Sequence, residues 1–220
     1  MGKLIVLEGI DGSGKTTQYN MLCDALRSKD REFVSLEFPQ YGEPSSALIK
    51  MYLKGEFGTA PGDVNPYAAS SFYAVDRYAS YKKVWGDYYS SGGLVVAARY
   101  TTSNAIHQAS KLEPGKRESF FKWLYEYEFN LMGLPRPDLV IYFSVPVEKA
   151  AEYIEKRRLE TGQDTDIHEK NLSYLRSCQE SAEMAADFYG WIKIDAVRNG
   201  EFRNPGDIHR NVINLVEKFL

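Results

Sequence analysis

Gly9-Ile10-Asp11-Gly12-Ser13-Gly14-Lys15-Thr16 is the stretch that decides the fold of this chain. It fits G-x-x-x-x-G-K-[ST], the phosphate-binding loop pattern. Its flanks supply the context that the pattern needs. Leu4-Ile5-Val6-Leu7 ahead of it is a short apolar run, read as a buried strand. Behind it, Lys15 to Lys29 places Met21, Leu22, Ala25 and Leu26 on one helical face. Glycines between a strand and a helix let backbone N–H groups crowd around phosphate oxygens, and the helix N-terminus adds a favourable dipole. In that arrangement Lys15 reaches the outer phosphates and the Thr16 hydroxyl ligates Mg²⁺.

Composition narrows the partner. The 220 residues suffice for one α/β domain with a substantial core, and residues 1–220 are expected to form a single domain. Hydrophobic residues at 44% and charged residues at 26% argue against disorder. A net charge of −3 offers no basic surface, so a nucleotide suits the loop better than a nucleic acid. Cys23 and Cys178 have no metal-ligand spacing and make no disulfide framework. No signal-like segment or membrane-length apolar run is visible, so a cytoplasmic protein is expected.

Apolar runs and helical patterns alternate along the rest of the chain. Strands are expected at Leu4–Leu7, Phe33–Phe38, Leu94–Ala97, Leu139–Phe143 and Trp191–Ile194. Helices are expected at Ser45–Leu53, Tyr67–Tyr89, Glu118–Leu131, Val147–Arg158, Glu169–Tyr189 and Pro205–Phe219. Continuously apolar strands between helices imply a five-stranded parallel sheet covered on both faces, a three-layer α/β/α fold. Ligands then bind at the carboxyl ends of the strands. Polar clusters fall at those ends: Glu8 to Thr16, Phe38 to Tyr41, Ala98 to Asn104, and Ser144.

Five separated segments together resemble the thymidylate kinase family. They are Glu8-Gly9 to Thr17, Phe38-Pro39, Asp76-Arg77-Tyr78, Arg99-Tyr100-Thr101-Thr102-Ser103-Asn104, and Asp166-Ile167-His168-Glu169. The resemblance implies phosphorylation of dTMP by ATP with Mg²⁺, in a homodimer. It implies ATP contacts from Gly9, Asp11, Gly12, Ser13, Gly14, Lys15, Thr16 and Thr17. It places Asp11 at the deoxyribose 3′-OH, and Phe38, Pro39 and Tyr41 around the monophosphate. Tyr73 is implied to stack on thymine and Arg77 to read its O4. Their spacing of four puts both on one helix face. The bland readings are core packing for Tyr73 and a solvated charge for Arg77. Arg99 resembles the clamp on the acceptor phosphate, which a guanidinium fork suits well. Ser103 and Asn104 fall beside the pyrimidine, and an Asn can offer it both donor and acceptor. His107 takes the place of a ring that crowds the 2′ carbon, or is an ordinary helix residue. Gln108, Asp166 and His168 complete the implied dTMP set.

Residues 157–168 read as a mobile lid that is polar, basic at its start, and poor in apolar anchors. Gly12 stands where some family members carry an Arg, which resembles the bacterial group whose arginine comes from the lid. Arg158, ahead of Arg157, is then the candidate to stabilise the transferring group, with Lys15, Arg99 and Asp11 in the catalytic set. Asp166 with Glu169 can equally be a capping box. The chain departs from the family in one place above all. Ala98 stands where the family has an Asp that acts at the metal or its waters, and Ser144 replaces an Asp of many bacterial members. Glu8 and Asp11 are nearby carboxylates that can compensate. On this reading Ala98→Asp raises turnover with little change in ATP affinity. The alternatives are a kinase for another pyrimidine monophosphate, a nucleotide-binding homologue without catalysis, and a phosphate-loop hydrolase.

Overall fold

A computed structural model of the chain describes residues 1–60, 62–161 and 172–220, leaving aside the side chains of Arg157 and Thr161. Strand β1 (Lys3–Glu8) is the centre of a five-stranded, all-parallel sheet. On one side lie β3 (Leu94–Ala98) and then β2 (Val34–Glu37). On the other lie β4 (Leu139–Ser144) and then β5 (Ile192–Asp195). The chain runs from β1 to one side and later to the other, which opens a crevice beyond the carboxyl end of β1. Leu4, Ile5, Val6 and Leu7 are fully buried, as a central strand covered on both faces requires.

Alternation along the strands sorts the helices. Glu8 reaches α5 (Thr101–His107), which packs on α8 (Leu172–Tyr189) together with α6 (Pro114–Tyr125). Leu7 faces the other way, with Ala98 and Ile141 beside it in register. There α1 (Lys15–Ser28) packs on β1 and β3 and against the last helix of the chain. Asn65 caps α3 (Pro66–Ser80) through a 2.8 Å bond to the Tyr67 N–H, and α2 (Ala47–Leu53) packs beside it.

Two expected helices are interrupted. The stretch 67–89 divides into α3, a wide π-type turn at Tyr81–Trp85, and α4 (Gly86–Ser90). A Cβ at Gly86 would lie 2.6 Å from the Tyr81 carbonyl oxygen, so the widened turn needs glycine there. The stretch 118–131 starts earlier, with Pro114 in the first turn of α6, and ends in a second π-type turn at Glu126–Leu131. That turn carries Glu128 inward.

Past β5 the chain adds β6 (Val197–Arg198) and β7 (Glu201–Phe202), a hairpin not anticipated from the sequence. Asn199-Gly200 forms its turn, with φ of 54° and 78°, the left-handed pair of a two-residue hairpin. The hairpin leads to α9 (Pro205–Phe219), whose Ile208, Val212 and Val216 are buried. It also rests on α7 (Val147–Thr161), with Phe202 and Tyr153 ring centroids 5.6 Å apart. Among the described residues no helix is long and apolar enough to cross a membrane.

Candidate active site

The phosphate-binding loop forms as its glycines demand. Gly12 and Gly14 both take φ of 79°, where a side chain is strained. A Cβ at Gly12 would also lie 2.4 Å from the Ala150 carbonyl oxygen of α7. An arginine therefore does not fit at position 12, because the backbone of the helix leading to the lid is already there. The N-terminus of α1 has no side-chain cap and no acidic residue in its first turn. Its positive end is left to an external anion. Thr16 and Thr17 are exposed at this end, and Lys15 is buried. Ser13 Oγ is buried without a hydrogen-bond partner among the described residues.

Beside the loop lies a cavity of about 320 Å³. Every described residue expected to hold dTMP lines it: Asp11, Phe38, Pro39, Tyr41, Tyr73, Arg77, Arg99, Ser103, Asn104, His107 and Gln108. Glu37, Leu53 and Tyr100 complete the wall. Asp166 and His168 lie outside the described residues, as do residues 162–168 of the expected lid and the side chain of Arg157. Arg158 is exposed and turned toward Glu155 of its own helix, 2.6 and 2.8 Å away. The structure does not bring it to the cavity. Exposed pairs of this kind are individually weak.

Arg77 is no solvated helix charge. It is 1% exposed and makes a two-pronged ion pair with Glu128, Nε to Oε2 at 2.7 Å and Nη2 to Oε1 at 2.6 Å. Nη1 donates to the Tyr100 carbonyl at 3.3 Å. Three of the five guanidinium N–H groups are thus engaged, and two remain for the cavity. Glu128 also accepts from Thr101 Oγ1 at 2.6 Å and Asn104 Nδ2 at 3.1 Å. Asn104 gives its other amide hydrogen to the Ser70 carbonyl. The expectation that Asn104 offers a donor and an acceptor is therefore corrected: its amide oxygen is what it has left. Gln108 Oε1 is buried on the same wall without a partner among the described residues.

A second polar chain crosses the cavity from the loop. Asp11 and Arg99 form a partly buried ion pair. Burial alone would raise the Asp11 carboxyl, but the charge of Arg99, with Lys15 behind it, outweighs burial and holds it far below the usual carboxylate range. Arg99 sits at φ 66°, in the left-handed region, directly after β3. Its Nη1 lies 3.0 Å from His107 Nε2. A guanidinium only donates, so that imidazole nitrogen is the acceptor. The other ring nitrogen lies 3.6 Å from Cys178 Sγ, a thiol that burial pushes up to about 12 and keeps neutral. His107 is accordingly a wired member of the wall.

Residues whose structural tasks the sequence does not show hold these walls in place. Asp76 is buried and accepts from the Gln40 N–H at 2.8 Å and from Ser45 Oγ at 2.6 Å, which pins the turn carrying Tyr41. Lys111 donates to Tyr52 Oη at 2.8 Å and to the Val64 carbonyl at 3.3 Å, beside Leu53. Glu8 does not compensate for Ala98. It is fully buried and accepts from the Gly9 N–H, Thr102 Oγ1 and Ser103 Oγ at 2.7–2.9 Å. Ser144 is held by Glu183 of α8 at 2.8 Å. Among the described residues no cluster of three metal-ligating side chains exists.

The family model for thymidylate kinase matches residues 7–202. The chain belongs to the thymidylate kinase family. A thymidylate kinase of Mycobacterium tuberculosis (strain CDC 1551 / Oshkosh) is 32% identical over 198 residues, covering 88% of this chain and 91% of that protein. A probable thymidylate kinase of Thermococcus gammatolerans is 28% identical over 220 residues, covering 99% and 97%. The solved thymidylate kinase of Candida albicans shares the fold, with a TM-score of 0.70 at 19% identity, covering 99% of this chain and 92% of that one. As a thymidylate kinase family member, the chain is a nucleoside monophosphate kinase, an enzyme class that moves phosphoryl groups between nucleotides.

Proposed function

We propose that this protein transfers the γ-phosphoryl group of ATP to dTMP, giving dTDP and ADP. What supports the reading is one juxtaposition. An uncapped phosphate loop and a cavity walled by Arg99, Arg77 and Asn104 open onto the same crevice. An acceptor-phosphate oxygen of dTMP attacks the γ-phosphorus. The bond from that phosphorus to the oxygen bridging it to the β-phosphate breaks, and ADP leaves with the electron pair. No protein base is required, because the attacking oxygen is already anionic at neutral pH. Gly9 to Thr17 hold the donor phosphates through backbone N–H groups, and Lys15 adds a charge. Arg99 exchanges Asp11 for the acceptor phosphate, which frees Asp11 for the sugar 3′-OH. Two Arg77 N–H groups face the base carbonyl, the Asn104 oxygen accepts from the ring N–H, and Tyr73 covers the ring. A lid arginine, Arg158 or Arg157, moves in to share the charge of the transferring group.

The chemistry of the loop fits Mg²⁺, since the exposed Thr16 hydroxyl is a hard oxygen donor at the anion-binding helix end. Bound with the donor phosphates, Mg²⁺ neutralises their charge. A homodimer belongs to the same reading, and α3 with its continuation exposes Val75, Tyr78 and Val84 as an apolar face for it. A coupled ADP-release assay with dTMP, dUMP, dCMP, UMP and thymidine tests the proposal. ADP release that depends on dTMP above the others supports it. Release unaffected by any acceptor would favour a hydrolase, and nucleotide binding without ADP a homologue that has lost catalysis.

A further inference from the structure

We infer that Glu37 is the metal-shell carboxylate of the transfer centre, an inference that rests on the reading of the site as one that takes MgATP. Phosphate-loop enzymes pair the loop Ser or Thr with an acidic residue at the end of a neighbouring strand, where it steadies the metal. Four strand ends surround the crevice, while Asp195, at the end of the edge strand β5, lines a separate cavity with Lys193 and Arg198. Glu8 ends β1, but it is sequestered by three donors and points to the α5 face. Ala98 ends β3 and has no ligand atom. Ser144 ends β4 and is held by Glu183. Glu37 ends β2 and lines the cavity with Asp11.

Register decides where Glu37 points. It lies directly beside Ala98, which lies beside Leu7, so all three share the face that α1 covers. From α1, Tyr19 and Cys23 are the titratable groups within its electrostatic reach. Tyr19 is one helical turn beyond Thr16. The Glu37 carboxylate makes no hydrogen bond or ion pair among the described residues, and it is exposed. An unpaired carboxylate on the wall of a cavity that gathers phosphates repels them unless a cation stands between. Mg²⁺ keeps several of its waters, so Glu37 acts as acceptor for a metal-bound water.

The test uses Mn²⁺ as probe, with free Mn²⁺ followed by electron paramagnetic resonance as it is titrated into the full-length protein with ATP. Glu37→Gln should weaken Mn²⁺ binding to the protein–ATP complex about tenfold, the scale of losing an outer-shell partner. ATP binding in EDTA should not change. The double variant Glu37→Gln/Ala98→Asp should recover the metal, because position 98 is the register neighbour on the same face. Ala98→Asp alone should then raise turnover less than it does in the Glu37→Gln background. Unchanged Mn²⁺ affinity in Glu37→Gln, with dTMP-dependent turnover intact in the unmodified protein, overturns the Glu37 inference alone. A protein that binds no ATP overturns the functional reading and the inference with it.

Discussion

Glu128→Gln is the substitution whose consequences the structure constrains most tightly. It keeps the shape of the side chain and removes the charge opposite Arg77. Both partners are almost fully excluded from solvent, at 2% and 0% exposure. Removing one member of a buried ion pair costs about 3–5 kcal/mol, because the remaining charge has neither partner nor water. Thr101 and Asn104 lose an anionic acceptor as well. A loss of that size takes a large share of a typical stability of about 5–15 kcal/mol. At roughly 2–4 °C per kcal/mol for a chain of this length, the melting temperature falls by about 6–20 °C. Urea unfolding measures the first quantity, and calorimetric titration with dTMP measures the effect on the pocket. A second variant separates the structural role from positioning. Arg77→Met/Glu128→Leu removes both charges, so part of the stability returns, as it does for buried pairs replaced by apolar groups. The dTMP affinity does not return, because the base has lost its donors. The reasoning is refuted if Glu128→Gln unfolds within about 1 kcal/mol of the parent and binds dTMP equally well.

Three more substitutions follow from the geometry. Gly12→Ala places a Cβ against the Ala150 carbonyl at a strained φ, so it should cost about 1–3 kcal/mol and weaken ATP binding; a variant that melts like the parent both without ATP and with it would contradict this. Arg99→Lys loses the fork that meets Asp11 and His107, and should lower kcat/KM for dTMP roughly tenfold to hundredfold, the worth of about 1.5–3 kcal/mol for charged hydrogen bonds. Burial lowers the Lys111 ammonium to about 8, so the unfolded chain holds more protons than the folded one between pH 8 and about 10. Stability from this group therefore rises with pH in that window, and the parent should gain about 1–2 kcal/mol over Lys111→Gln between pH 7 and 9.5. A flat difference in unfolding free energy across that range would refute the assignment.

Much of this site can be read from the chain because its chemistry is tied to local pattern. The loop glycines, the strand ahead of them and the helix behind them are consecutive, so one stretch specifies all three. Tyr73 and Arg77 are related by a single helical turn, and Arg99 to Gln108 follow one strand end. Glu128 was not legible, because its inward direction depends on a π-type turn that breaks the 3.6-residue period. Its partner lies 51 positions earlier in the chain. Asp76 stands in a recognisable motif, but its task of pinning the turn at Gln40 depends on tertiary packing. The Asn199-Gly200 hairpin left its usual signal, yet its strands of two residues fall below what alternation can detect. Glu37 gains meaning only from register, which sets it beside Ala98 across two strands. Glu8 shows the reverse: proximity in sequence suggested a compensating carboxylate, and strand alternation sends it to the opposite face.

Transfer to dTMP is tested most simply by following the phosphoryl group itself. ATP labelled in its γ-phosphate is incubated with the protein, Mg²⁺ and dTMP, and the products are separated. Label should appear in dTDP, formed in step with ADP and lost when dTMP is omitted. Label released as inorganic phosphate at the same rate with or without dTMP would contradict it.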